Sequence, residues 1–131
     1  MIQDPTRINE IRARMDKERT LWMATTRPDG RPHVAPIWFV WHADRAYVVT
    51  GGVKLDNVRH NGFAALNTED GIDVVIVEGT ARVIPESDPL FDSVTPLFED
   101  RYEWNIHESV TGIPEQALIE ITPVKTHVWK A

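Results

Sequence analysis

The stretch from Thr25 to Trp41, TTRPDGRPHVAPIWFVW, is the part of the sequence that most restricts the fold. It opens with a turn at Pro28-Asp29-Gly30 and continues for about nine residues with apolar or aromatic groups on both sides of a period-two pattern. A strand of this kind has to bury both of its faces, and one small core covers only one of them. We therefore expect a second subunit, a ligand or the far wall of a barrel to cover the other face.

Pro36 lies in the middle of this predicted strand. Strand alternation places Ile37 and Phe39 on one face, whereas Pro36 and its neighbour Trp38 lie on the other. Because proline has no N–H to donate to a strand ladder, the strand must have an edge, a bulge or an opening at this point. We expect a ligand to bind at that opening.

The composition excludes several classes of protein. The 131 residues predict one domain, spanning residues 1–131, that can bury a real core. A net charge of −6 without a basic stripe argues against nucleic-acid binding, and the lack of cysteine excludes a disulfide framework, a thiol nucleophile and a cysteine-bound zinc. The N-terminus lacks the apolar core of a signal peptide, and no later run approaches membrane-spanning length. We expect a cytoplasmic protein without a membrane partner.

The remaining pattern predicts alternating strands and short helices. A helix is expected to begin at Asp4-Pro5. Further strands are predicted at 21–26, 46–50, 63–67 and 73–84, and one or two closing strands over 117–130, interrupted at Pro123. A short helix is predicted at 54–60 and a helix in two pieces, divided at Pro96, over 85–102. A loop is predicted over 103–114.

These elements add up to an α+β domain: a small antiparallel β-barrel of about six strands with short covering helices. Gly79 lies in the middle of a long predicted strand. A glycine there predicts a bulge or corner, which a sheet needs if it is to curl into a barrel.

The residues that usually carry catalysis are not in a recognisable arrangement. The five histidines show neither HxH nor HExxH spacing, so no metal site is predicted, and there is no GxSxG nucleophile elbow. The stronger signal is Thr50-Gly51-Gly52-Val53-Lys54, where a strand ends in glycines and enters a helix. Free N–H groups, the helix dipole and a lysine together outline a phosphate site, although a plain turn followed by a surface lysine fits the same residues.

Four segments resemble those of the pyridoxamine 5'-phosphate oxidase-like split β-barrel superfamily: LWMATTRPDGRPHVAPIWFVW, YVVTGGVKLDNVRHN, FAALNTED and VVIVEGTARVI. Within it, the small flavin- and deazaflavin-dependent oxidoreductases are the most similar branch. The resemblance is good over residues 19–84, moderate over the closing strand and poor over residues 85–114. It implies a split barrel that forms a homodimer, with the cofactor in a groove between the subunits.

The resemblance also implies site residues. The cofactor ring is expected along the second strand and its phosphate at the turn after the third. The residues so implied are Ala35, Pro36, Ile37 and Trp38 beside the ring and Thr50, Lys54 and Asn57 near the phosphate. His33 and Arg31, at the mouth of the hairpin, are candidate substrate contacts, and the segment 91–107 is expected to set specificity.

Both FMN and coenzyme F-420 fit the resemblance. Many relatives that use F-420 carry an arginine two positions before the lysine, where this chain has Gly52, and this difference and the acidic balance favour FMN. The short one-domain layout favours F-420.

The expected function is hydride transfer between this cofactor and a small organic substrate. Because the cofactor itself carries the hydride, no catalytic side chain is required. The alternative is a non-catalytic module of the same fold that binds flavin, or binds haem through a histidine.

Overall fold

The computed structural model describes residues 5–130. In chain order the elements are α1 (Pro5–Lys17), β1 (Leu21–Thr26), β2 (Pro32–Ile37), β3 (Phe39–His42), β4 (Arg45–Gly51), α2 (Gly52–His60), β5 (Phe63–Asn67), β6 (Asp73–Ile84), α3 (Pro89–Tyr102), α4 (Ile106–Val110) and β7 (Gln116–Lys130). The expected start of the first helix at Asp4 lies outside the described residues.

All seven strands form one antiparallel sheet in the order β2-β1-β5-β6-β7-β4-β3. β2 and β3 follow each other in the chain, yet they lie at opposite edges of this sheet. The sheet therefore curls until its two edges meet near Trp38, the single residue between them. This confirms the predicted α+β split barrel with short covering helices.

The long strand predicted to run through to Trp41 is broken at Trp38, which corrects that expectation. The hydroxyl of Tyr102 accepts a hydrogen bond from the backbone N–H of Phe39 at 3.1 Å, so a side chain replaces a strand partner at this point. Period-two alternation continues across the break, because Ile37 and Phe39 are both buried while Pro36 and Trp38 are exposed. The pattern alone did not reveal that the chain changes edges here.

Pro36 lies in an edge strand, as one of the predicted alternatives required. β2 pairs only with β1, where Pro36 is opposite Trp22. At an edge strand, a residue without an N–H is tolerated because one side of the strand has no ladder to complete.

Gly79 occupies the predicted bulge. The register between β6 and β7 shifts between Glu78 and Gly79, and Gly79 pairs with Pro123. A Cβ on Gly79 would clash with the carbonyl oxygen of Thr122. Because β7 continues through Pro123 opposite this glycine, the closing segment is one strand.

Two hydrophobic clusters stabilise the fold, one on each side of the sheet. The first lies inside the curl, under α1 and α2, and includes Met15, Leu21, Phe39, Leu55 and Ile119. The second lies between the outer side of the sheet and α3 with α4, and includes Tyr47, Phe91, Phe98, Ile106 and Leu118. Both faces of the sheet at β4 and β7 are therefore covered within one chain.

Two predictions about helices were wrong. The segment predicted as two pieces is one continuous helix, α3, with Pro96 inside it. Burial of Phe91, Val94 and Phe98 on both sides of the proline holds the helix together despite the lost backbone hydrogen bond.

The predicted loop after it contains the short helix α4, whose cap, Asn105, accepts a hydrogen bond from the N–H of His107 at 3.1 Å. Asn105 followed by Glu108 was the available sequence signal for this helix. Within residues 5–130, no helix has the length and apolar character needed to cross a membrane.

Candidate functional site

A cleft of about 420 Å³ opens where the end of β2, the end of β4, the start of α2 and the segment before α4 come together. Its volume is within the range of small-molecule sites, roughly 300–1,000 Å³. The residues that line it are Thr20, Pro36, Ile37, Trp38, Val49, Thr50, Lys54 and Trp104.

Most of the predicted cofactor residues meet in this cleft. Pro36, Ile37 and Trp38 form one side, and Thr50 with Lys54 forms another. These residues are brought together because the curled sheet places the end of β2 beside the end of β4, although the two strands are not paired. The predicted ring-binding and phosphate-binding segments therefore border the same space.

The two remaining predicted cofactor residues lie outside the cleft lining. Ala35 is in β2 opposite Met23, one residue before the lining begins. Asn57 is 2% exposed, and its amide donates to the hydroxyl of Thr25 at 3.0 Å. This hydrogen bond joins α2 to β1, so Asn57 helps to fix the position of α2 and does not contact the cleft itself.

The helix α2 begins between two residues that line the cleft, Thr50 and Lys54. Its N-cap is Gly51, no side chain caps the helix, and its first turn contains no acidic residue. Gly52 has φ +60°, a left-handed conformation that favours glycine. Lys54 lies in the first turn, so the uncapped N–H groups, the helix dipole and the ammonium group all favour an anion here.

His33 does not line the cleft, but it lies close enough to Lys54 for the lysine charge to affect its pKa. Its Nδ1 is buried and has no hydrogen-bond partner among the described residues. Burial, and then the positive charges of Lys54 and Arg27, lower the pKa of His33 below its ordinary value of 6.5. At neutral pH, His33 is therefore an uncharged imidazole with an unsatisfied polar atom beside a cationic site.

The lowered pKa of His33 predicts that the free energy of unfolding depends on pH. Below pH 6.5, His33 becomes protonated in the unfolded chain, whereas in the folded chain its lower pKa keeps it neutral. The unfolded chain then binds more protons, so the free energy of unfolding decreases as the pH falls toward the folded-state pKa. Replacing His33 with Gln should remove this part of the pH dependence. Urea unfolding of both proteins between pH 5 and pH 8 tests it, and two parallel stability–pH profiles would contradict it.

The other candidate substrate contact, Arg31, is paired within its own turn. Its guanidinium contacts the carboxylate of Asp29 at 2.8 Å, and the Arg31 side chain is 70% exposed. Arg31 is absent from the cleft lining, so the structure does not bring it together with the other predicted site residues.

Aromatic residues form the wall of the cleft that lies away from the β4–α2 turn. Trp38 stacks on Tyr102, with ring centroids 4.7 Å apart and an interplanar angle of 5°. Trp104 meets Trp38 edge-on at 5.8 Å. In the sequence, Tyr102 falls at the end of the predicted helix over 85–102 and Trp104 in the predicted loop over 103–114, and no local pattern indicates that they meet Trp38.

Within residues 5–130, no three histidine or acidic side chains come together in a way that would hold a metal ion. The polar aliphatic side chains that line the cleft are Thr20, Thr50 and Lys54. Such groups have the chemistry needed to bind an anion beside an apolar surface.

The curled antiparallel sheet and its edge cleft define a split-barrel protein. A family model described as pyridoxamine 5'-phosphate oxidase matches residues 8–130. An F-420H(2)-dependent biliverdin reductase from Mycobacterium tuberculosis (strain CDC 1551 / Oshkosh) is 32% identical in an alignment of 98 residues that covers 71% of this chain and 72% of the relative. The chain belongs to the pyridoxamine 5'-phosphate oxidase family.

Solved structures agree with this fold. The heme storage protein HutZ from Vibrio cholerae has a TM-score of 0.78 at 19% identity, with 92% of each chain covered. An F-420 reductase has a TM-score of 0.64 at 21% identity, covering 86% of this chain and 92% of that chain. At such identities the similarity shows the common fold alone.

Proposed function

We propose that this chain is a single-domain oxidoreductase that binds FMN or coenzyme F-420 and transfers a hydride between that cofactor and a small organic substrate. The main support is the cleft, in which Pro36 and Ile37 face the same space as Lys54, a residue in the first turn of the uncapped helix α2. A planar ring bearing a phosphate matches this combination of an apolar wall and an anion site.

The chain's own residues act in this proposal by binding and positioning. Lys54 and the N–H groups of α2 hold the phosphate, while Pro36 and Ile37 provide an apolar surface beside the ring. The cofactor supplies the hydride chemistry. A reduced cofactor bound here would supply two electrons as a hydride to the acceptor, and solvent would supply the proton that completes the reduction.

Of the two cofactors, we favour F-420. The relative that is 32% identical is named for its dependence on the reduced form of F-420. Gly52, which stands where many F-420 users have arginine, would meet no atom within 4 Å if a Cβ were added. The space would admit a side chain, but the positive φ of Gly52 favours glycine over arginine. This position therefore does not support F-420, and the preference rests on the relative.

We propose that a second copy of the chain covers the open sheet face. Three large apolar side chains are exposed there, Trp22 at 40%, Val34 at 58% and Phe63 at 64%. Phe63 lines an apolar groove of about 490 Å³ that lies beside β1 and β5. Sedimentation equilibrium should give twice the chain mass, and a monomer at micromolar concentration would contradict this part of the proposal.

Replacing Lys54 with Ala tests the site. Because a hydrogen bond from a charged donor contributes about 1.5–3 kcal/mol, the Kd of the cofactor should rise roughly 10- to 100-fold. FMN and F-420 are titrated separately and followed by their fluorescence. Lys130→Ala, at the far end of β7, is the matched control and should leave both affinities unchanged. Failure of both cofactors to bind the wild-type chain at micromolar concentration would refute the proposed function.

A non-catalytic binding module is the second candidate, because HutZ, which has the same fold, is described as a heme storage protein. A Soret band after addition of hemin, with neither FMN nor F-420 bound, would favour haem binding. A bound flavin-type cofactor that no acceptor reoxidises would favour a carrier.

A further inference from the structure

Trp38 presents a preorganised aromatic surface at the edge of the cleft. Tyr102 covers one face of its indole almost in parallel, at 4.7 Å and 5°, yet Trp38 remains 50% exposed and lines the cleft. The uncovered part of the indole is therefore available to a ligand. A large apolar ring left half open to solvent at a ligand-sized cleft is a candidate binding surface.

Hydrogen bonds on the hidden side hold this surface in place. The Tyr102 hydroxyl accepts from the N–H of Phe39 at 3.1 Å, and lies 2.7 Å from the carbonyl oxygen of Arg19 and 2.8 Å from that of Phe39. The tyrosine thereby joins the end of α3 to the chain segments on both sides of the cleft. A ligand that stacks on Trp38 would not have to order this platform first.

Trp104 forms a second wall at a steep angle to the first. Its ring lies 76° from that of Trp38, and it packs edge-on against Phe98 at 5.6 Å. Its indole N–H donates to the hydroxyl of Ser109 in α4 at 2.8 Å, which fixes the ring orientation. The two indoles make a rigid corner whose remaining neighbours in the cleft include Ile37 and Val49.

We propose that this Trp38–Trp104 corner binds the acceptor and selects planar, conjugated, uncharged ring systems, an inference that rests on the proposed function. A flat apolar corner favours stacking, and Lys54, the one charged residue among the described lining residues, is already assigned to the cofactor phosphate. Trp104 comes from the short connection between α3 and α4, whereas the cofactor residues come from the sheet and α2. Connections on a common scaffold usually determine which substrate a protein accepts.

The test uses the chain saturated with its oxidised cofactor and two uncharged probes, planar menadione and non-planar 2-cyclohexen-1-one. Isothermal titration calorimetry should show that menadione binds about tenfold more tightly, and that Trp38→Leu and Trp104→Leu each weaken menadione binding by roughly five- to tenfold. Trp38→Phe should retain most of the affinity because it keeps a stacking ring. Trp129→Leu, a half-exposed tryptophan at the end of β7, is the control and should have no effect. Circular dichroism confirms that each variant is folded.

The cofactor affinity of each variant separates the possible outcomes. Weaker menadione binding with an unchanged cofactor Kd supports an acceptor site. A cofactor Kd that rises as much as the menadione Kd would overturn the proposal, because the corner would then hold the cofactor ring. Equal binding of the two probes, or an unchanged menadione affinity in both leucine variants, would also overturn it. In each of these cases the proposed function stands, since it fails only if neither cofactor binds the wild-type chain.

Discussion

Replacing Glu120 with Ala is expected to lower the free energy of unfolding by about 3 kcal/mol, because it breaks a buried ionic network. Glu120 is 2% exposed and accepts hydrogen bonds from the hydroxyl of Tyr47 at 2.7 Å and from Arg82 at 2.8 Å. Arg45 approaches the same carboxylate at 3.4 Å. The two arginines are partly exposed and can return to water, whereas the buried Tyr47 hydroxyl cannot.

The carboxylate also makes this contribution dependent on pH. Burial by itself would raise the pKa of Glu120, but hydrogen bonds from Arg82 and Tyr47 and the charges of Arg82 and Arg45 outweigh it and lower the pKa below its ordinary value of 4.5. The stabilisation is therefore complete above pH 4.5 and is lost as the pH falls through the folded-state pKa. Burial and the neighbouring carboxylate raise the pKa of Tyr47, which stays protonated throughout.

Urea unfolding of the wild type, Glu120→Ala and Glu120→Gln measures both effects. The glutamine variant keeps the size and can still accept hydrogen bonds, so its loss should be smaller at pH 7, and its difference from the wild type should disappear in acid. Glu99→Ala, on the exposed side of α3, is the control and should change stability by less than about 0.5 kcal/mol. A Glu120→Ala variant as stable as that control would show that the network contributes nothing.

Replacing Gly79 with Ala is expected to destabilise the fold by about 3 kcal/mol, at the upper end of what overpacking usually costs. The added methyl group would clash with the carbonyl oxygen of Thr122 and lie 2.9 Å from its carbonyl carbon. Both are backbone atoms of the paired strand, so no side chain can rotate away. Relief requires β6 and β7 to separate at the bulge on which the curl of the sheet depends.

The matched control for this substitution is Gly71→Ala, because a Cβ there meets nothing within 4 Å and Gly71 lies in a turn. Thermal unfolding of the two variants should show a large decrease in Tm for Gly79→Ala and almost none for Gly71→Ala. Equal Tm values would mean that the strands can shift without cost, and the bulge would then not require glycine.

Local patterns were sufficient for most of the fold. The glycine within the long strand and the Gly51-Gly52 strand end depend on neighbouring residues, and each predicted its element correctly. The alternation around Ile37 predicted the buried and exposed positions but not the break at Trp38. The break predicted at Pro96 was wrong, because the free-energy cost of a proline inside a helix is smaller than the stabilisation from burying Phe91 and Phe98 on either side of it.

The cleft was predictable only in part. The lining by Pro36, Trp38 and Lys54 followed from a resemblance in sequence, and whether these residues bind a cofactor remains a prediction. The aromatic corner had no such signal, since Trp38 and Tyr102 are far apart in the chain and no short-range rule relates their rings. The buried Glu120 was equally hidden, because alternation in β7 does not show that three partners converge on one residue.

The sequence by itself determined that Thr25 to Trp41 would alternate with period two and be interrupted near Pro36, because the alternation and the missing proline N–H are local properties. Only the tertiary structure decided that the interruption falls at Trp38 and sends β2 and β3 to opposite edges of the sheet. That outcome depends on the curl of the whole sheet and on Tyr102, whose hydroxyl replaces a strand partner at Phe39. Contacts between residues so distant in the chain are formed by packing, which no local pattern encodes.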